Sequence, residues 1–188
     1  MVLWLQMLEI LNITRFGNPI LREVGKRLTE EEILSNKIQT LIGNMRYTLV
    51  ERKYGVGIAA PQVGENIALS VIGIKPTPNR PELEPFETVI INPEIVETFG
   101  DPVDAWEGCV SCGTDDDILF ARLPRFEKVR LQWLDERARL REEVIGGFVA
   151  QVVQHETDHL NGILFVDHVT DPTSFMMADE YRKRVLGK

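Results

Sequence analysis

FVAQVVQHETDHLNG, residues 148–162, decides how this chain is built. No charged side chain occurs in it before His155, so a helix over these residues would be buried on most of its circumference. Gly162 then ends that helix. His155 and His159 stand four residues apart, on one helical face, with Glu156 beside the first. The pattern is H-E-x-x-H, in which two imidazole nitrogens can meet one cation while the carboxylate serves as a general base. A helix that carries such groups inside the molecule has to be wrapped by the rest of the chain.

Working outward, the remaining elements read mainly as strands. ETVIINPEIVE (87–97), KVRLQWLDE (128–136) and LREEVIGGF (140–148) each have strand character, the last two joined by a turn near Glu136 and Arg137. IALSVIGI (67–74) reads as a buried strand, preceded by GVGIAAPQVG (55–64), too rich in Gly and Pro for a regular element. KPTPNRPELEP (75–85) is a loop. Thr29 and Glu32 form a capping box, and Leu34, Ile38, Leu41, Ile42, Met45 and Leu49 recur at helical spacing up to Gly55, predicting one amphipathic helix. Asp171 followed by Pro172 reads as the start of a last helix carrying Arg182, Lys183 and Arg184 near its end. Strands in sequence around a central helix indicate an α+β fold, with residues 1–188 as a single domain.

Bulk properties narrow the function. Apolar residues make up 44% and charged residues 27% of the 188, as in an ordinary globular protein. The net charge of −8 repels nucleic acid and anionic membrane, so no DNA or membrane partner is expected. The opening MVLWLQMLEILNI has no Lys or Arg before Arg15 and so lacks the charged start of a secretory signal. Either Met1 or Met7 can be the start residue. A cytoplasmic location is expected. The two cysteines, Cys109 and Cys112, suit metal or redox chemistry better than a disulfide framework.

A catalytic site of the zinc type takes three protein ligands and leaves one position open. The third-histidine position of one large protease class falls on Phe165, which excludes that class. Glu180 is the only downstream glutamate placed to complete another, a small metallopeptidase, but it lies in a polar helix among basic neighbours. EGCVS (107–111) offers Cys109, preceded by a glycine that lets the backbone approach closely. His155, His159 and Cys109 thus make a His₂Cys set.

GVGIAAPQ (55–62), EGCVS and HETDHLNG (155–162), in this order, closely resemble the three signature motifs of the peptide deformylase family. GNPILREVGKRLT (17–29), LPRFEKVRL (123–131) and GILFVDHV (162–169) extend the similarity over most of the chain. The resemblance implies a metallohydrolase that removes the formyl group from the formyl-methionine of new proteins, with antiparallel sheets wrapped around the metal helix and a C-terminal helix. It implies Cys109, His155 and His159 as ligands of one divalent ion, usually Fe(II), and Glu156 as the catalytic acid. It further implies Gln62 and the N–H of Val110 as oxyanion donors, and Gly57 as a contact for the substrate strand. The chemistry is coherent: a formamide is a poor electrophile, so its hydrolysis needs a Lewis acid, a proton carrier and donors for the developing oxyanion. The open backbone of Gly55, Val56 and Gly57 suits edge-on pairing with an extended peptide, and Val152, one turn before His155, is a candidate wall of an apolar methionine pocket.

After EGCVS the family usually continues with an apolar residue and a proline, whereas this chain reads Cys112, Gly113, Thr114 and then Asp115 to Asp117. Two alternatives follow. Cys112 could close a structural Cys₂His₂ zinc site and make the chain a peptide-binding module, or it could form a disulfide with Cys109 under oxidation and remove a ligand. Imidazole and thiolate also suit Zn²⁺, Ni²⁺ and Co²⁺. The family works near the ribosome exit, and the basic end of the last helix offers a transient ribosome contact.

Overall fold

The computed structural model describes residues 8–52, 55–76, 81 and 83–187, so the candidate start residues and part of the 75–85 loop lie outside it. Thr29 opens the first helix as its sequence requires: its hydroxyl accepts from the Glu32 N–H at 3.2 Å while the Glu32 carboxylate accepts from the Thr29 N–H at 2.8 Å. The single helix expected after it is two, α1 (Glu30–Leu34) and α2 (Asn36–Arg52). Ser35 makes the break. Its backbone is extended, its hydroxyl donates to the Glu32 carbonyl at 2.6 Å, and the same oxygen accepts from the Ile38 N–H at 3.4 Å. A serine that satisfies orphan groups on both sides stops one helix and starts the next. The break turns Leu34 outward, 52% exposed, and gives its expected core place to Ile33.

A five-stranded antiparallel sheet has the order β1-β2-β3-β6-β7, with β1 at Gly57–Ala59, β2 at Leu69–Ile74, β3 at Phe86–Phe99, β6 at Lys128–Leu134 and β7 at Leu140–Gly146. β1 corrects the irregular reading of residues 55–64: three residues pair with β2 before a 3₁₀ turn at Ala60–Val63. β2 is covered on both faces. Leu69 and Val71 pack with Ile38, Ile42 and Met45 of α2, while Ile72 and Ile74 pack with Val129, Leu131, Ile145 and Val153 on the side of α3 (Gly147–Leu160). Each such aliphatic side chain contributes about 1.5–3 kcal/mol by leaving water, which explains why this strand reads as a continuous apolar run.

A second sheet of order β4-β5-β8 joins β4 (Val103–Gly108), β5 (Leu119–Arg125) and β8 (Met176–Met177). The last helix, α4 (Ala178–Arg184), begins later than Asp171 and Pro172 suggest. There Asp171 caps only one 3₁₀ turn, Pro172–Ser174, because the chain must then extend to pair as β8 with β5.

α3 lies against the five-stranded sheet and is held by polar side chains at chosen points. Buried Gln154 accepts from the Phe126 N–H at 3.0 Å and donates to the Phe126 carbonyl at 2.8 Å, and Gln151 donates to the Trp106 carbonyl of β4 at 2.8 Å. Gly162 ends the helix at φ +70°, and a Cβ there would stand 2.6 Å from the Arg22 carbonyl oxygen, so glycine is required on two counts. Among the described residues no helix is long and apolar enough to cross a membrane.

Candidate active site

α3 presents His155 and His159 on one face with ring centroids 4.8 Å apart, and Cys109, at the end of β4, approaches from the second sheet. One nitrogen from each imidazole and the Cys109 sulfur lie within 4.8 Å of one another, and Cys109 Sγ is 3.3 Å from His159 Nε2. Cys112 does not join this group among the described residues; it packs against Cys109 in the apolar cluster that also holds Ala121, Leu123 and Phe165. That disfavours the closed Cys₂His₂ site. Glu180 is equally remote in role, paired on the surface with Lys183 at 3.1 Å and Arg184 at 2.7 Å, which removes the third ligand of the metallopeptidase reading.

The donor set fits a divalent cation of borderline softness. Glu107 Oε2 accepts from His155 Nδ1 at 2.8 Å, so Nε2 is the nitrogen left to face the other donors. Nothing in the sequence around Glu107 assigns it this role or indicates what lies behind it. Arg125 grips both Glu107 oxygens, at 2.8 and 3.0 Å, and reaches Asp158 Oδ2 at 2.6 Å; His168 Nε2 meets the same Asp158 oxygen at 2.9 Å. Burial pulls the Glu107 carboxyl up, but the bonds from His155 and Arg125 outweigh it and hold it at about 2. Burial lowers His155 as well, and the Glu107 carboxylate outweighs that to raise it. Burial and the neighbouring His155 push His159 well down, which keeps its imidazole neutral and available as a ligand. Contact with Cys112, together with burial, raises the Cys109 thiol; a cation would favour its thiolate.

Glu156 is buried at the cleft wall, its Oε2 has no hydrogen-bond partner among the described residues, and burial pushes its carboxyl up to about 7. Gly57 lies directly against it: a Cβ on Gly57 would stand 2.3 Å from Glu156 Oε1. Gln62 is anchored at one end, where its carbonyl oxygen accepts from the Ala59 N–H at 2.8 Å. Its Nε2 is aimed at Cys109 Sγ, 3.3 Å away, and at Ser111 Oγ, 3.2 Å away. Val110 opens the 3₁₀ turn Val110–Cys112, a position whose N–H has no acceptor within the turn.

These groups head a cleft of about 590 Å³ lined by Val56, Gly57, Gln62, Cys109, Val110, Val152, His155 and Glu156. All the residues expected at the site line it except His159, which is buried behind. Val56, Leu83, Phe148 and Val152 give it an apolar floor, and the stacked rings of Phe120 and Tyr181, 4.3 Å apart, belong to its wall. Among the described residues β1 and β4 are edge strands of their sheets, and both border the cleft.

The sequence model of the polypeptide deformylase family matches residues 10–174. Peptide deformylase 2 of Nostoc sp. is 36% identical over 180 residues, covering 94% of this chain and 96% of the relative. A peptide deformylase of Leptospira biflexa is 35% identical over 172 residues, covering 89% and 92%. Among solved structures, the class I type b peptide deformylase of Acinetobacter baumannii with bound Met-Ala-Ser superposes with a TM-score of 0.80 at 35% identity, over 87% of this chain and all of that one. The Thermotoga maritima peptide deformylase gives 0.72 at 31% identity, over 87% and 99%. With three ligand atoms converging beside a buried carboxylate, and likeness running the length of the molecule, the chain belongs to the peptide deformylase family.

Proposed function

We propose that this chain, as a single catalytic domain, removes the formyl group from the N-terminal formyl-methionine of new polypeptides with Glu156, Gln62 and Val110 as its catalytic groups. The observation that carries this assignment is the unpartnered, buried Glu156 carboxylate beside the Cys109, His155 and His159 donors at the head of the cleft. Cys109, His155 and His159 would hold a divalent cation, which would supply Lewis acidity when bound. Glu156 accepts the proton of the attacking water and returns it to the amide nitrogen as the C–N bond breaks, giving formate and a free amine. Gln62 Nε2 and the Val110 N–H stabilise the negative oxygen of the tetrahedral species, each such donor being worth roughly 3 kcal/mol. The peptide extends along β1, an edge strand whose Gly57 borders the cleft beside Val56, and its methionine side chain rests against Val152.

Fe(II) is the proposed ion; Zn²⁺, Ni²⁺ and Co²⁺ suit the same His₂Cys atoms, and elemental analysis of protein purified without oxygen distinguishes them. The proposed compartment is the cytoplasm, with transient contact to the ribosome tested by co-sedimentation. In α4, Arg182 pairs with Asp116, and Lys183 and Arg184 pair with Glu180, so that contact must draw on charges already engaged. Formate release from a formyl-Met peptide tests the residue assignment. Glu156→Gln should retain metal and lose activity by at least ~10²-fold; unchanged turnover would overturn it.

A further inference from the structure

Segment 8–16 crosses α2 and then runs under the site. The Glu9 N–H donates to Asn44 Oδ1 at 3.0 Å and the Leu11 N–H to Thr48 Oγ1 at 2.8 Å, which fixes the segment to the helix. Its next residues reach both motif loops. The Thr14 N–H donates to the Gln62 carbonyl at 2.7 Å, and the Phe16 N–H donates to the Ser111 carbonyl at 2.9 Å. Between them, Arg15 Nη1 donates to the Val110 carbonyl at 3.3 Å and to the Gly113 carbonyl at 3.1 Å. Consecutive residues therefore bridge the loop that carries Gln62 and the turn that carries Cys109 and Val110.

The turn needs such a brace. Its only internal closure among the described main-chain bonds is the Cys112 N–H to the Cys109 carbonyl at 2.9 Å, and both a ligand sulfur and a free N–H must be held in place on it. We propose that Arg15 is a positioning residue for catalysis: its guanidinium clamps the Val110 and Gly113 carbonyls and so sets the distance between the Val110 N–H and the amide of Gln62. Arg15 itself is exposed, so truncating it removes no buried packing. Both bonds leave one nitrogen, Nη1, which the rigid guanidinium plane holds in a fixed direction, whereas a lysine ammonium rides on a flexible stem and is positioned less firmly. The inference rests on the assignment of Gln62 and Val110 as oxyanion donors.

The test compares Arg15→Ala, Arg15→Lys and Gln62→Ala in the full, metal-loaded chain, with Arg130→Ala as a control that removes a half-buried arginine outside the cleft lining, paired with Glu97 and Glu142. Misplacing a donor that acts only on the transition state lowers kcat and leaves KM unchanged. Arg15→Ala is expected to lower kcat about tenfold with KM unaltered, metal content at wild-type level and a melting temperature matching the Arg130→Ala control. Arg15→Lys is expected to recover part of the loss. If Gln62→Ala lowers kcat strongly while Arg15→Ala leaves it within about twofold, the oxyanion assignment stands and the clamp is overturned. Metal loss in Arg15→Ala, or a rise in KM equal to the fall in kcat/KM, also overturns the clamp. Unchanged kcat in Gln62→Ala overturns the oxyanion assignment and the clamp with it.

Discussion

Gly57→Ala is a one-methyl change whose effect can be worked from distances. The added Cβ would meet Glu156 Oε1 at 2.3 Å, Cδ at 2.7 Å and Cγ at 3.0 Å, where ordinary contact begins near 3.4 Å. Something must move by about 1 Å to restore van der Waals separation. The strand is the stiffer partner: Gly57 pairs with Ile72, and the Gly73 N–H holds the Val56 carbonyl at 2.9 Å. Glu156 Oε2 has no hydrogen bond to hold it, so the carboxylate yields. A displacement of ~1 Å at a reacting group costs roughly a hundredfold in rate, or ~2.7 kcal/mol in the barrier. Overpacking of a tight interior costs a further ~1–3 kcal/mol in stability. The expected variant is folded, less heat-stable, fully metal-loaded through Cys109, His155 and His159, and about a hundredfold slower in formate release. Glu156→Asp, with a shorter arm, gives a second measurement: adding Gly57→Ala to it should cost less than adding it to the wild type. A folded Gly57→Ala protein with metal bound and kcat within about threefold of wild type would refute the argument that glycine is there to admit the carboxylate.

Glu107→Gln keeps the shape but removes the charge that orients His155 and neutralises Arg125; metal affinity should fall by roughly 10–100-fold in a competition titration, and unfolding in urea should shift down by about 3 kcal/mol. Cys109→Ser should lose the ion on dialysis, while Cys112→Ser should keep it; equal metal loss in both would return Cys112 to the ligand set. Asp135, in the turn between β6 and β7, gives a pH dependence. Burial works against its charge, but the N–H groups of Arg139 and Arg137 and the guanidiniums of Arg139 and Arg141 outweigh it and hold its carboxyl well below the ordinary 3.8. A carboxylate lowered on folding stabilises the protein above its unfolded value and loses that contribution as pH falls through the folded one. The melting temperature of Asp135→Asn should therefore trail wild type at pH 7 and converge with it below about pH 4; a gap that widens on acidification would contradict this sign.

What could be read from the chain alone depended on how local its cause is. The metal helix was legible because the i, i+4 spacing of His155 and His159 and the uncharged run before them are properties of one segment, and Gly162 marks its end in the same way. β1 and β4 were not legible. β1 is a strand through its partner β2 rather than through Gly57–Ala59 themselves, and VDAWEG in β4 has no alternation to announce it. The same distinction separates the ligands from their support. Cys109 can be reached by elimination, since a site with two histidines lacks a third donor, but nothing near Arg125 in sequence indicates that it will bind Glu107, 18 residues away, and Asp158, 33 residues away. Burying a guanidinium is costly unless every donor direction is met, and here the two carboxylates that meet it come from β4 and the metal helix. Arg125 thereby locks the strand that delivers Cys109 to the helix that delivers the histidines, and Glu107 carries the same link on to the ring of His155. An ion pair in this place is a poor way to add stability, since apolar groups of equal volume often do better. Its use is orientation, because ligands from a sheet and a separate helix can converge on one cation only if the elements bearing them are held in a single register.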